Sequence, residues 1–150
     1  MTKRQLDLFP NFSHGEIKRS GGRLAGIDFR AFAKLQNFRF AIGRRVKFQK
    51  NGINSGNHNS PEHEAGKAFD IRFDKRDGVV TFAEINRFVK EAIKVGFRGI
   101  GIYWNRTEYS LHLDDGSTFD WWSAHKIKVR HGKAYRYKWA YMPFLNNPRG

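Results

Sequence analysis

The chain has 150 residues, no cysteine, 39% hydrophobic and 15% aromatic residues, and a formal net charge of +14. This excludes disulfides and thiolate metal sites, argues against disorder, and allows one domain with a real core but not two. No run reaches the ~20 apolar residues of a membrane span, and residues 1–10 lack the ~7–15-residue apolar stretch of a signal peptide.

The charge is unevenly spread. Residues 1–50 carry +9, residues 51–119 carry −1 and residues 120–150 carry +6. A net charge this far above the ~2–8 that keeps a small domain soluble implies a polyanionic partner: nucleic acid, anionic lipid, or a cell wall bearing teichoic acid and peptide carboxylates.

In chain order, residues 1–26 are polar and broken by Gly15, Gly21, Gly22 and Gly26, and read as an N-terminal arm laid over the core. Asp28 can cap a short helix whose apolar face holds Phe29, Phe32 and Leu35. Val46-Lys47-Phe48 reads as a strand, and residues 51–61, rich in Asn, Gly, Ser and Pro, as a loop. Phe69 to Phe73 alternates with period two, so Asp70 points opposite to Ile71. Thr81-Phe82-Ala83-Glu84 is a capping box. It opens a helix with Phe82, Ile85, Phe88, Val89, Ala92 and Ile93 in one stripe, ended by Gly96. Gly99–Tyr103 and Ser110–Leu113 are the next strands. In the second, Ser110 and His112 share a face and Leu111 and Leu113 take the other. Lys126–Arg130 and Lys133–Trp139, joined at His131-Gly132, form a basic hairpin within residues 123–150. The expected fold is α+β: a small antiparallel sheet with a few helices packed on it and a metal site on the sheet face. Residues 1–150 form one domain, expected to be a monomer.

His63, Asp70 and His112 carry the chemistry. Two imidazoles and a carboxylate are the ligand types of a catalytic zinc ion that keeps a fourth position open. His63 and Asp70 lie seven apart, a spacing that suits a loop residue and the strand it leads into, with Gly66 allowing the tight backbone between them. The segment His63-Glu64-Ala65-Gly66-Lys67-Ala68-Phe69-Asp70 followed by His112 on a strand resembles the zinc D-Ala-D-Ala carboxypeptidase (LAS-type peptidoglycan peptidase) family, in particular its phage endolysin-like members. Ile53-Asn54-Ser55-Gly56, Gly99-Ile100-Gly101-Ile102-Tyr103, His112-Leu113-Asp114-Asp115-Gly116 with Trp121 and Trp122, and the weaker Phe12-Ser13-His14-Gly15-Glu16 are similar to other stretches of that family, in the same order. The chain departs from it in three places, one being Pro61 where a Ser two before the first metal histidine is expected, with Ser60 one place earlier. Asn57-His58-Asn59 replaces the Arg that follows Ser-Gly, and Tyr109 replaces the acid three residues before the last histidine.

The resemblance implies hydrolysis of an amide bond in peptidoglycan stem or cross-link peptides, of D,D-carboxypeptidase or endopeptidase type. It implies Zn2+ held by His63, Asp70 and His112. Zinc would bring the pKa of a bound water down toward ~7, and a carboxylate would accept its proton. By strand alternation Asp114 is the first candidate for that base or for orienting His112, and Glu108 is the second. His58 is a candidate oxyanion partner or a plain loop residue. Ser55 and Trp121 are the substrate-binding candidates, although Trp121 and Trp122 also read as core and rim aromatics. Without a signal peptide the expected course is synthesis in the cytoplasm, with action on the wall after release in phage lysis or from a virion. Two other classes remain open: a metal-dependent nuclease, since Asn57 to Asp70 loosely resembles a His-Asn-His site, and a non-catalytic basic module for nucleic acid or wall polymer.

Overall fold

Thr2 and Ser13 each accept a hydrogen bond from the backbone N–H three residues on, while Gln5 and Glu16 reach back to the cap N–H. These reciprocal caps start helices α1 (Lys3–Leu6) and α2 (His14–Arg19) in the computed structural model, which describes residues 1–58, 60–117, 120–131 and 134–142. The expected arm is thus helical, and it also supplies core: Leu6, Phe9, Phe12 and Ile17 are buried. The Phe12 ring lies 5.1 Å from Phe32 and 5.3 Å from Phe48.

Asp28 caps α3 (Phe29–Ile42) through the Ala31 N–H at 2.9 Å, and Gly43 ends it in the left-handed region at φ 66°. The helix is longer than expected because Phe38 and Ile42 continue its buried face. A one-turn helix, α4 (Pro61–Glu64), carries His63, which was expected on a loop. The Thr81/Glu84 capping box opens α5 (Phe82–Lys94) and buries Ile85, Phe88, Val89 and Ala92. Phe82 lies outside the stripe, 56% exposed at the first turn.

Among the described residues, six strands form one sheet: β1 (Val46–Phe48), β2 (Ala68–Phe73), β3 (Gly99–Trp104), β4 (Tyr109–Asp114), β5 (Asp120–His131) and β6 (Ala134–Met142). Their order is β1-β2-β4-β3-β5-β6. All neighbours are antiparallel except β3 and β5, which run parallel. The sheet is therefore mixed rather than wholly antiparallel. β5 begins beside the start of β3, where Asp120 pairs with Gly99, so it matches β3 in direction and opposes β4. The basic hairpin is present as β5 and β6, longer than expected; its turn at Gly132-Lys133 and residues 143–150 lie outside the described residues. Among the described residues, no helix is long and apolar enough to cross a membrane.

The period of two assigns the faces. Phe69, Ile71, Leu111, Leu113 and Ile100 are fully buried in the same core as α3 and α5, with Phe32 5.8 Å from Phe69 and Phe73 5.1 Å from Phe88. The opposite face carries a row across four strands: Asp70 pairs with His112, His112 with Gly101, and Gly101 with Trp122. That row is the floor of the candidate site.

Candidate metal centre

The turn at residues 51–55 holds two imidazoles by its carbonyls. His63 Nδ1 lies 2.5 Å from Ile53 O, and His58 Nε2 lies 2.6 Å from Asn51 O and 2.7 Å from Ser55 O. A carbonyl oxygen only accepts, so each of these nitrogens carries its proton and donates. That leaves the lone pair on His63 Nε2 and on His58 Nδ1. The two rings stack with centroids 3.8 Å apart and planes 14° from parallel. Gly66, at φ 68°, turns the chain from α4 into β2. A β-carbon there would overlap the Gly26 carbonyl, and Gly66 O accepts the Asp28 N–H at 3.0 Å.

His63 and His112 are almost wholly buried, at 2% and 4% exposure, and converge on Asp70. His112 Nδ1 is 2.9 Å from Asp70 Oδ1, His63 Nε2 is 3.4 Å from Asp70 Oδ2, and the two nitrogens are 3.3 Å apart. Atoms bound to one tetrahedral zinc at ~2.0–2.1 Å stand ~3.3–3.4 Å from each other. His58, His63 and Asp70 also offer ligand atoms within 4.8 Å of one another, a group that could hold a metal ion. The outer nitrogens are held as well: His63 by Ile53 O, and His112 by Asp114 Oδ2, 3.0 Å from Nε2. Such outer contacts set the tautomer and the orientation of metal-ligating histidines.

The charges are strongly coupled. Burial pushes Asp70 up, but the hydrogen bond from His112 and the adjoining His63 imidazole outweigh it and hold the carboxylate below its ordinary range. Burial pushes His112 down, yet its bonds to Asp114 and Asp70 raise it from 6.5 to about 9. Asp114 is likewise pushed up by burial and brought down further by His112 and the Gly116 N–H. In the metal-free protein His112 is an imidazolium between two carboxylates.

These residues open into a cleft of about 470 Å³ lined by Asn57, His58, Ser60, Tyr103 and Trp122 together with the His63, Asp70 and His112 side chains. Sequence-predicted residues fall inside and outside it. Asp114 is buried behind His112, on the ring edge away from Asp70, and its second oxygen accepts the Gly116 N–H at 2.9 Å. It hydrogen-bonds His112 and is not among the residues that line the cleft. Glu108 lies beyond the other end of β4, 3.5 Å from Lys75 Nζ, in a different surface depression. His58 lines the cleft, but its Nε2–H is given to the Asn51 and Ser55 carbonyls, and its Nδ1 carries a lone pair rather than the donor an oxyanion partner needs. Ser55 acts through its carbonyl; its hydroxyl is buried near Gly21. Trp121 pairs with Ile100 on the core face and packs against the core, whereas Trp122 faces the site, its ring 5.1 Å from His112.

Trp122 and Tyr103 were not anticipated in the site; Trp122 Nε1 donates to Tyr103 Oη at 2.9 Å. The signal was the alternation Gly99, Gly101, Tyr103 on one face of β3. Both glycines make room: a β-carbon on Gly99 would overlap Asp114 Oδ2, and one on Gly101 would lie 2.5 Å from Trp122 Cε2.

No protein-family model, curated protein or solved structure matches this chain.

Proposed function

We propose that this chain is a zinc-dependent hydrolase that cleaves an amide bond in the stem or cross-link peptides of peptidoglycan. Its chief support is the convergence of His63 Nε2, His112 Nδ1 and the Asp70 carboxylate at 2.9–3.4 Å on an open cleft. The order of the sequence motifs from Ser55-Gly56 to Trp122 adds to it.

His63, Asp70 and His112 fit a zinc ion in ligand type, in spacing and in outer hydrogen bonds. Zinc bound there supplies a Lewis acid that polarises a carbonyl and acidifies water. Asp114 keeps His112 turned with Nδ1 toward Asp70, and Ile53 O does the same for His63 Nε2. Once the three ligands are set aside, His58 is the cleft-lining imidazole with an acceptor nitrogen. It takes the proton of the attacking water at Nδ1 and returns it to the leaving amine. Trp122, held by Tyr103, forms the wall against which the substrate lies.

The test joins metal content to wall chemistry. Purified protein should hold about one zinc per chain and release free amino groups from peptidoglycan. Chelation, His63→Ala, Asp70→Ala or His112→Ala should abolish both. Metal-dependent nicking of supercoiled DNA with no release from walls would move the site to the nuclease reading. Stoichiometric zinc in all three variants would reject the ligand set.

A further inference from the structure

A second concavity, about 670 Å³, lies between α2, β1 and β2. Arg19, Lys47, Lys50, Arg72 and Arg76 line it, against a single acid, Glu16. Glu16 is occupied by the Ser13 N–H at 2.9 Å and the Ser13 hydroxyl at 3.1 Å, as the cap of α2. Lys47 and Arg76 share Asp74, at 3.1 Å and 2.6 Å. Among the described residues, Arg19, Lys50 and Arg72 have no carboxylate partner. Three like charges lining one hollow raise the local positive potential, which favours an anion there, most strongly at low salt. A ligand with one negative charge per repeat answers that potential better than a single carboxylate.

We propose that this cleft binds the phosphodiester backbone of a polyol-phosphate polymer, such as the anionic polymer of a cell wall. Guanidinium groups such as those of Arg19 and Arg72 match phosphate oxygens in pairs. A single-stranded nucleic acid would call for exposed aromatic rings on which bases stack, and the aromatic lining residue here, Phe48, is packed into the core at 8% exposure. Arg72 and Asp70 share a face of β2 and are two residues apart, ~6.6–6.8 Å along a strand. A polymer in the cleft therefore runs beside the metal centre and keeps the wall against it. The inference rests on the wall reading for the source of the polymer and on nothing in the metal chemistry.

The experiment measures binding of a deacylated glycerol-phosphate polymer by fluorescence anisotropy between 50 and 200 mM salt. Three phosphate contacts at ~0.7 each in the log–log slope make the wild-type affinity fall ~20-fold over that range through these cations alone. The variant R19Q/K50Q/R72Q should lose that part of the dependence while melting as the wild type does. Each single variant should lose about a third of the logarithmic effect. The variant K128Q/R136Q/K138Q, in the C-terminal hairpin, should bind more nearly as the wild type. Wild-type affinity in the cleft variant, or a larger loss in the hairpin variant, would overturn the site. Equal or tighter binding of an oligothymidylate or of poly-glutamate matched in charge would overturn the polymer. His63→Ala should bind the polymer normally. Polymer binding without wall hydrolysis would thus end the peptidase reading and leave this site standing, whereas hydrolysis without cleft-dependent binding would do the reverse.

Discussion

Asp114 holds the edge of His112 that faces away from Asp70: its Oδ2 lies 3.0 Å from Nε2, while Asp70 Oδ1 lies 2.9 Å from Nδ1. The imidazole is fixed from both ends. Asp114→Asn keeps an acceptor but equally offers a donor to Nε2, so the tautomer is no longer enforced. Zinc affinity is expected to fall roughly 10–100-fold together with activity. A chelator competition titration measures it. Loss of turnover with unchanged affinity would instead place Asp114 on the proton path.

His58 separates a base from a ligand. His58→Ala should keep one zinc per chain and slow amide hydrolysis by ~10²–10⁴-fold. Metal analysis and single-turnover rates on the same preparation decide the matter, because loss of zinc would make His58 a fourth ligand.

Gly99 and Gly101 should each be intolerant of alanine, for different reasons. At Gly99 the new methyl displaces the Asp114 carboxylate, so metal affinity should fall as in Asp114→Asn. At Gly101 it displaces the Trp122 ring, so substrate affinity should fall instead. Overpacking of this kind costs ~1–3 kcal/mol, which chemical denaturation would read in both variants.

The metal-free protein should lose stability toward alkaline pH. The folded-state pKa of His112, about 9, stands above its ordinary 6.5, so its contribution is fully present below pH 6.5 and disappears as pH rises through about 9. Asp70 acts in the opposite sense: its contribution is present above the ordinary carboxylate range and is lost in strong acid. Zinc must displace the His112 proton, so binding near pH 7.5 should release about one proton more than binding above pH 9. Calorimetry in buffers of different ionisation enthalpy counts it.

The N-terminal segment should behave as core. Phe12→Ala is expected to cost ~3–5 kcal/mol, since the ring is 6% exposed and packs on Phe32 and Phe48. A denaturation midpoint unchanged from wild type would show that residues 1–26 are only draped on the domain.

What could be read from sequence was local. The capping boxes and the alternation Leu111-His112-Leu113 depend on neighbours in the chain, and they placed α5 and the face of His112 correctly. Alternation assigns a face, however, and not which edge of a ring a neighbour meets, so the contact of Asp114 with the far edge of His112 was not legible. Whether Trp121 or Trp122 faces the site depends on how β5 registers against β3, a pairing that neither strand encodes alone. Leu6, Phe9 and Phe12 keep a helical spacing too briefly, around Pro10 and Gly15, to announce burial. Their environment is made by α3 and β1, which come later in the chain.

The grip of the 51–55 turn on two imidazoles bears on how this protein can change over generations. Asn51, Ile53 and Ser55 serve the centre through carbonyl oxygens, which every amino acid possesses. Side-chain identity matters there for other reasons: Asn51 holds a left-handed backbone at φ 59°, which favours Asn or Gly, and Ile53 is fixed by the core it fills. A single-residue insertion or deletion is another matter, because it shifts all three oxygens and frees both rings together. A population of natural variants should show this stretch invariant in length and restricted at Gly52, where a β-carbon would lie 2.7 Å from Asp70 O.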